Sequence, residues 1–210
     1  MRKIFGHRGL PHIYEENTFK SLNKAQEICD FVETDVRITK DKELVLYHDA
    51  EIQTQKIEEL SLSDINELID IEISEIHLIS RKQIKGNTNF ELKISSKDDD
   101  LNKVFLEKII SLTNPEDIVS SFDWETILNN RESFKSKYGI LIDKENQLFE
   151  SKAMSNLDEK LMFMVEKEIF YSRNFDLPLE RCVVWTVNDK GEINSVLNMN
   201  VYGVVTDIGD

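Results

Sequence analysis

Short apolar segments recur along the entire chain, and most of them are separated by segments whose apolar residues have helical spacing. Strands that alternate with helices favour parallel pairing, because each helix returns the chain to the same edge of the sheet. Eight segments have the length and composition of buried strands, namely residues 3–6, 31–38, 90–94, 117–122, 138–142, 161–165, 182–187 and 203–207. Eight such strands with intervening helices predict an α/β protein with the architecture of a closed (β/α)8 barrel.

Helices are predicted from the spacing of apolar residues and from capping residues. Asn17 or Thr18 can cap the first helix, and the acidic run 98–100 favours a helix N-terminus through the helix dipole. The predicted helices cover residues 17–29, 61–69, 98–112, 123–130 and 167–175, and a further helix passes through Ile193, Val196 and Leu197.

An apolar segment, residues 44–48, follows the second strand after a short turn at residues 39–43. A parallel crossover needs about a dozen residues or more, so this segment is expected to form an antiparallel hairpin with the second strand. The hairpin folds His48 back toward that strand. Residues 50–88 then predict a short insertion above the barrel, in which residues 71–81 fit either a strand or irregular structure.

A single domain spanning residues 1–210 is expected, because 40% hydrophobic residues suffice for one barrel core. The net charge of -14 argues against nucleic acid or an anionic membrane surface as a partner, since both need clustered Lys and Arg. No segment reaches the ~20 apolar residues of a membrane span. Cys29 and Cys182 lie far apart, and the first strand begins by Lys3, so we expect free thiols, no signal peptide and a cytoplasmic protein.

Two carboxylates interrupt the second strand. Glu33 and Asp35 are two residues apart and therefore share one face of it. They repel each other unless a cation lies between them or one carboxyl is protonated. Glu91 lies on the neighbouring predicted strand, and three converging acids favour a hard divalent cation, Mg²⁺ or Ca²⁺, with Mn²⁺ possible. The alternatives are a solvated edge strand and, for Glu91, a structural salt bridge with Lys93.

Two histidines are expected to flank these acids. Functional side chains of such barrels lie at the C-terminal ends of the strands. His7 follows the first strand and His48 ends the hairpin, so both can border the acidic cluster. A lone histidine at a strand end is more often structural, whereas two beside a metal can act as the acid and the base of a hydrolysis. No role is assigned to His12 or His77.

Cationic and aromatic residues lie at the same rim. Arg8 and Lys93 can bind phosphate oxygens, or they can form salt bridges that hold the acids in place. Trp185 lies in an apolar strand, where core packing is the commonest explanation. At the mouth of the barrel it can instead form an apolar wall beside a substrate.

The chain carries, in order, Gly6-His7-Arg8-Gly9, Glu16-Asn17-Thr18, Glu33-Thr34-Asp35, Thr39-Lys40-Asp41, His48-Asp49, Phe90-Glu91-Leu92-Lys93, Ser121-Phe122, Trp185-Thr186-Val187-Asn188 and Thr206-Asp207. As a set, these motifs resemble the glycerophosphodiester phosphodiesterase family, although each alone is weak. The resemblance runs from Phe5 to Asp207. It implies a barrel of the phospholipase-C-like phosphodiesterase type.

The resemblance also implies site roles, which are a metal at Glu33, Asp35 and Glu91, an acid/base pair at His7 and His48, phosphate contacts from Arg8 and Lys93, and a substrate contact from Trp185. It implies hydrolysis of a small glycerophosphodiester to an alcohol and sn-glycerol 3-phosphate. We prefer His7 as base and His48 as acid, and attack by water or by a glycerol hydroxyl are both open. The alternatives are a lipid, nucleotide-linked or polysaccharide-linked diester as substrate, or a barrel that only binds phosphoryl ligands.

Two departures from the family pattern concern the substrate. Glu15 stands where the family usually has proline before its Glu-Asn-Thr motif. Residues 50–88 are shorter than the usual insertion and lack its Pro-Thr-Leu-like element. That insertion roofs the pocket in the family, so these departures leave the choice of diester open.

Overall fold

The structure is a computed structural model that describes residues 2–68 and 81–207. Its strands are β1 (Lys3–Gly6), β2 (Phe31–Ile38), β3 (Leu44–Leu46), β4 (Glu51–Ile52), β5 (Gln55–Lys56), β6 (Asn87–Leu92), β7 (Ile118–Ser121), β8 (Lys137–Ile142), β9 (Leu161–Glu166), β10 (Cys182–Trp185) and β11 (Gly203–Thr206). Its α-helices are α1 (Phe19–Ala25), α2 (Leu62–Leu68), α3 (Asp99–Leu112), α4 (Trp124–Asn129), α5 (Gln147–Met154), α6 (Lys167–Phe170) and α7 (Lys190–Asn198).

Eight parallel strands close into a barrel in the order β1-β2-β6-β7-β8-β9-β10-β11. The barrel closes because β1 pairs with β2 on one side and with β11 on the other. The predicted (β/α)8 architecture is therefore confirmed. Strand β3 runs antiparallel to β2, with Val36 opposite Leu46, so the predicted hairpin is also confirmed.

Two apolar layers hold the barrel together. Inside it, Phe5 and Phe31 stack with ring centroids 4.6 Å apart. They belong to a plug of buried residues that also contains Ile118, Leu141, Met162, Met164, Val183 and Val205. Outside it, alternate strand residues such as Val32 and Val36 belong to the larger core that also includes helix residues. The apolar plug fills the interior of the barrel. The polar residues that point inward lie above it, at the C-terminal ends of the strands.

The helix starts follow from their capping residues. Thr18 caps α1 by accepting a hydrogen bond from the Ser21 amide, and Asp98 caps α3 by accepting from the amides of Asp100 and Leu101. Of the two candidates for the first cap, Thr18 is therefore the one used.

Several predicted bounds differ from the structure, and one helix was missed. Helix α1 ends at Ala25 instead of residue 29. Helix α6 ends at Phe170 instead of residue 175, and β6 covers residues 87–92 instead of 90–94. Helix α5 was missed because its pattern is weak, with Leu148 buried and Phe149 84% exposed. The prediction for residues 71–81 lies almost entirely outside the described residues.

The described part of the insertion packs on the hairpin. Strands β4 and β5 form a small antiparallel pair, and a 3-10 turn follows at Ile57–Glu59. Ile52, Ile57, Leu60 and Ile65 form a small core with Val45 of β3. Among the residues that the structure describes, no helix is both long and apolar enough to cross a lipid bilayer.

Candidate active site

Three carboxylates converge inside the C-terminal end of the barrel. Glu33 and Asp35 share the inner face of β2, and the strand register places Glu91 of β6 directly opposite Asp35. One oxygen from each of the three lies within 4.8 Å of the others. Glu33 is 3% exposed, Asp35 1% and Glu91 9%. The three acids therefore converge as predicted. The alternative, in which Glu33 and Asp35 lie on a solvated edge strand, is wrong because both side chains are buried.

The electrostatics of the cluster favour an added cation. Burial and the charge of Asp35 raise the pKa of Glu33 to about 8. Burial also raises the pKa of Glu91, although Lys93 opposes it. Glu33 Oε1 is buried and has no hydrogen-bond partner among the described residues. Since a buried carboxylate oxygen without a partner is unfavourable, the donor set fits a hard divalent cation with oxygen ligands.

The two cations lie against the acids. Arg8 Nε is 3.1 Å from Asp35 Oδ2, and Arg8 Nη1 donates to Glu16 Oε1 at 2.9 Å. Lys93 Nζ is 3.0 Å from Asp35 Oδ1 and also pairs with Glu91. Burial alone would raise the pKa of Asp35, but Lys93 and Arg8 hold it below its usual value. The salt bridge between Glu91 and Lys93, considered as an alternative to the cluster, exists together with it.

An unusual backbone turn after β1 supplies a further donor. Arg8 and Gly9 have positive φ angles of 51° and 93°. This conformation points the Arg8 amide at Glu33 Oε2, to which it donates at 2.9 Å. A Cβ on Gly9 would lie 2.3 Å from Ser21 Oγ, so both the angle and the space require glycine.

Asn17 explains the motif that contains it. The residue is buried, and its φ angle is 56°. Its side-chain oxygen accepts from the amide of Asp35 and the hydroxyl of Thr34, and its Nδ2 donates to Asp35 Oδ2 at 3.0 Å. Asn17 therefore fixes the orientation of one of the three carboxylates.

His7 is held by a carboxylate that sequence reasoning did not assign. Its Nδ1 donates to Asp207 Oδ1 at 2.6 Å, which leaves Nε2 3.9 Å from Glu33 Oε2. Asn188 Nδ2 donates to Asp207 Oδ2 at 2.6 Å, and Asn188 Oδ1 accepts from the Asp207 amide. Burial would lower the pKa of His7, but the hydrogen bond to Asp207 and the charge of Glu33 raise it above its usual value. The signal for Asp207 was its position at the end of the eighth strand.

His48 lies at the rim, one residue beyond the hairpin pairing. Its side chain is 38% exposed, and its Nδ1 is 2.8 Å from Asp49 Oδ1. Its carbonyl oxygen accepts hydrogen bonds from Arg37, at 2.6 Å from Nη2 and 3.1 Å from Nε. Arg37 is a second residue that sequence reasoning did not single out.

An aromatic pair lies at the C-terminal ends of β7 and β10. Trp185 is half-buried and contacts Phe122 edge to face, with ring centroids 6.0 Å apart. Lys93 Nζ lies 5.8 Å from the Phe122 ring centroid, so the pair is next to the acidic cluster. Phe122 is 43% exposed, and this surface suits the apolar part of a ligand. His12 is exposed, and His77 lies outside the described residues.

Comparisons with known proteins agree with this geometry. The sequence model of the Glycerophosphoryl diester phosphodiesterase family matches residues 7–176. "Uncharacterized protein MG293" of Mycoplasma genitalium is 27% identical over an alignment of 231 positions, and the alignment covers 94% of this chain and 91% of that protein.

Solved structures of phosphodiesterases are also similar to this chain. A glycerophosphodiester phosphodiesterase from Thermotoga maritima is 28% identical with a TM-score of 0.72, covering 99% of this chain and 95% of that one. An Oleispira antarctica phosphodiesterase, solved in complex with the product sn-glycerol-3-phosphate, has a TM-score of 0.71 over 99% and 93% of the two chains. At 17% identity, that second likeness concerns the fold alone.

Proposed function

Because the chain belongs to the glycerophosphoryl diester phosphodiesterase family and is an enzyme of that kind, we propose that it hydrolyses small glycerophosphodiesters to an alcohol and sn-glycerol 3-phosphate with the help of a divalent cation and two histidines. One observation carries this proposal. Three buried carboxylates lie beside His7 at the C-terminal end of a barrel, where such folds place their reactive groups. The product bound to the Oleispira antarctica phosphodiesterase supports a substrate of this size and charge.

The proposed metal ligands are Glu33, Asp35 and Glu91. Oxygen donors without cysteine suit Mg²⁺ or Ca²⁺, and Mn²⁺ is compatible. Such a cation, when bound, would polarise the phosphoryl group and offset its negative charge. The unpartnered oxygen of Glu33 supports this assignment, because a bound cation would supply the missing interaction.

Arg8 and Lys93 are the proposed phosphate ligands. Both side chains lie within ion-pair distance of Asp35, which places their positive charges next to the proposed metal site. A guanidinium can bind two phosphate oxygens at once, whereas an ammonium acts as a point charge. Trp185 and Phe122 are proposed to contact the alcohol part of the diester.

His7 is the proposed general base. Asp207 fixes the tautomer that carries its proton on Nδ1, so Nε2 is free to take a proton from the nucleophile. The same carboxylate stabilises the imidazolium that results. This holds whether the nucleophile is water or a neighbouring glycerol hydroxyl.

His48 is the proposed general acid. It lies on the hairpin that pairs with β2, and its side chain reaches solvent, from which it can recover a proton. In its protonated form it would donate to the oxygen of the departing alcohol, which prevents the formation of a free alkoxide.

The Asp207→Asn substitution tests how His7 is held. An amide at this position can donate to Nδ1, which favours the tautomer with the proton on Nε2 and blocks the base. We expect kcat to fall by about 10²-fold with a KM within about threefold of wild type. NMR of the His7 ring nitrogens should show the change of tautomer. Asp99→Asn, on the exposed start of α3, is the matched control. An unchanged tautomer and rate would contradict the role of Asp207.

A panel of diesters tests the function itself. Wild-type protein and Glu91→Ala are assayed on glycerophosphocholine, a lysophospholipid, a dinucleotide and a polysaccharide-linked diester, each with Mg²⁺, Ca²⁺ or Mn²⁺ and with bound metal measured. We expect wild type to prefer glycerophosphocholine, and Glu91→Ala to lose both metal and rate. If the wild-type enzyme prefers another diester, that diester becomes the proposed substrate. If no diester is hydrolysed with any of the metals, the proposed mechanism is contradicted.

Three further properties are part of this proposal. Residues 1–210 form one domain, which the pairing of β1 with β11 supports because it joins the two ends of the described chain. Residues 50–88 form its shortened insertion. A cytoplasmic location is supported by two cysteines that are both free.

A further inference from the structure

Arg37 is a buried cation without an ion-pair partner among the described residues. It lies on the inner face of β2, two residues beyond Asp35, and it is 7% exposed. No described carboxylate lies within 4.0 Å of its guanidinium, in contrast to Arg8 and Lys93. Burying a charge is unfavourable unless hydrogen bonds replace its hydration. The hydrogen-bond partners of Arg37 therefore indicate what this buried cation does.

Those partners are main-chain carbonyls and one hydroxyl. Nε and Nη2 both donate to the carbonyl of His48, at 3.1 and 2.6 Å. Nη1 donates to the carbonyl of Lys93 and to Ser95 Oγ, each at 3.3 Å. One guanidinium therefore joins the segment that carries the proposed acid to the segment that carries a proposed phosphate ligand.

The segment with His48 has few other restraints in the sheet. The last hairpin hydrogen bond runs from the Tyr47 amide to the Asp35 carbonyl at 3.1 Å. His48 follows one residue later, and its exposed side chain is bonded only to the adjacent Asp49 within the described structure. The main chain of Lys93, by contrast, is bonded to β2 through its amide, which donates to the Val36 carbonyl. Arg37 thus links a weakly held residue to a firmly held one.

We propose that Arg37 is a positioning residue that holds His48 beside Lys93 by binding both main-chain carbonyls, an inference that rests on the role proposed for His48. The planar fork of arginine makes this possible, because its donors point in several fixed directions. A lysine keeps the charge but reaches one carbonyl at a time. Displacement of a catalytic group by about 1 Å can lower a rate about 10²-fold.

Two substrates with different leaving groups distinguish an effect on the position of the acid from a general effect on the fold. A departing alkoxide such as that of choline needs a proton, whereas p-nitrophenolate is stable without one. Arg37→Lys, His48→Ala and the double variant are therefore assayed on glycerophosphocholine and on a p-nitrophenyl diester of glycerol phosphate. Thermal unfolding of each variant is measured in parallel.

We expect Arg37→Lys to lower kcat on glycerophosphocholine about 10- to 10²-fold, with KM within about threefold. On the p-nitrophenyl diester the loss should be below about threefold, as for His48→Ala. The double variant should be no slower than His48→Ala alone on glycerophosphocholine, because Arg37 acts through His48. If Arg37→Lys does not fold, Arg37→Gln is measured in the same cycle.

The outcomes separate the two proposals. A double variant that is slower than His48→Ala by the full factor of Arg37→Lys would overturn the positioning role and leave His48 as the acid. Equal losses on both leaving groups would overturn it as well. His48→Ala with the wild-type rate on glycerophosphocholine would contradict the proposed role of His48 as the acid, on which this inference rests, and would leave the hydrolysis itself in place.

Discussion

Replacing His7 by alanine is expected to lower kcat on glycerophosphocholine by about 10²- to 10⁴-fold, the range typical for loss of a general base. His7 is the histidine whose Nδ1 bonds to Asp207 and whose Nε2 lies 3.9 Å from Glu33. Without it, the imidazole that remains at the site is His48, which is proposed to donate a proton to the leaving group rather than to take one from the nucleophile. KM should change by less than about threefold, because the proposed phosphate ligands Arg8 and Lys93 remain.

The matched control is His12→Ala. His12 lies in the same loop and is exposed, but the structure gives it no hydrogen bond to a carboxylate. Its rate should stay within about threefold of wild type. The two variants should also keep the same metal content, since neither histidine belongs to the carboxylate cluster. A His7→Ala enzyme with wild-type kcat would exclude His7 as the base.

Replacing Glu33 by glutamine is expected to change stability and activity in opposite directions. Glutamine is nearly isosteric but cannot ionise, so the repulsion between residue 33 and Asp35 disappears. In EDTA, the melting temperature at pH 8 should therefore rise by about 2–6 °C. At the same time the variant loses the negative charge of one of the three proposed ligands, and kcat/KM should fall by at least ~10³-fold at every metal concentration.

The pH dependence of the stability gain follows from the pKa of Glu33. Burial raises this pKa to about 8 from an ordinary value of 4.5. In the metal-free protein, the unfolded chain loses its proton first, so Glu33 reduces the stability of the fold increasingly between those two values. The advantage of glutamine should therefore be small at pH 4.5 and largest above pH 8. Thermal unfolding in EDTA across this range measures it.

Metal titration completes this test. A cation that binds only the folded protein raises its melting temperature in proportion to the logarithm of concentration. Wild type should show this rise, and Glu33→Gln should not. Glu107→Gln, an exposed change of the same charge on α3, should behave like wild type in both respects. A Glu33→Gln protein with the same metal-induced rise as wild type would mean that the charge of Glu33 does not contribute to binding the cation.

Much of the fold could be predicted from local pattern alone. The barrel strands are short, apolar and rich in β-branched residues, and most of the helices have a face of regularly spaced apolar residues. Helix α5 escaped because Phe149 faces solvent while Ser151 is buried, which reverses the expected pattern. The end of α6 was predicted too late because apolar residues continue beyond Phe170. One of them, Phe175, packs against Phe170 from outside the helix.

The acidic cluster could be predicted because strand periodicity places Glu33 and Asp35 on one face. The partners of those acids could not. Arg37 looks like an ordinary charged residue near a strand end, and only the fold shows that two carbonyls from other segments meet its guanidinium. Asn17 likewise reads as a helix cap, whereas the structure gives that role to Thr18 and turns Asn17 toward Asp35.

The bond between His7 and Asp207 joins residues 200 positions apart in sequence. Contacts of such high sequence separation form late, because the intervening chain must first be ordered. During synthesis, His7 leaves the ribosome with the first strand but meets its carboxylate only after β11 has been made and has paired with β1. A nascent chain that lacks β11 therefore has no Asp207 to orient the proposed base, so we expect hydrolytic competence to arise with barrel closure. Recovery of turnover during refolding can then report directly on the docking of the C-terminal strand.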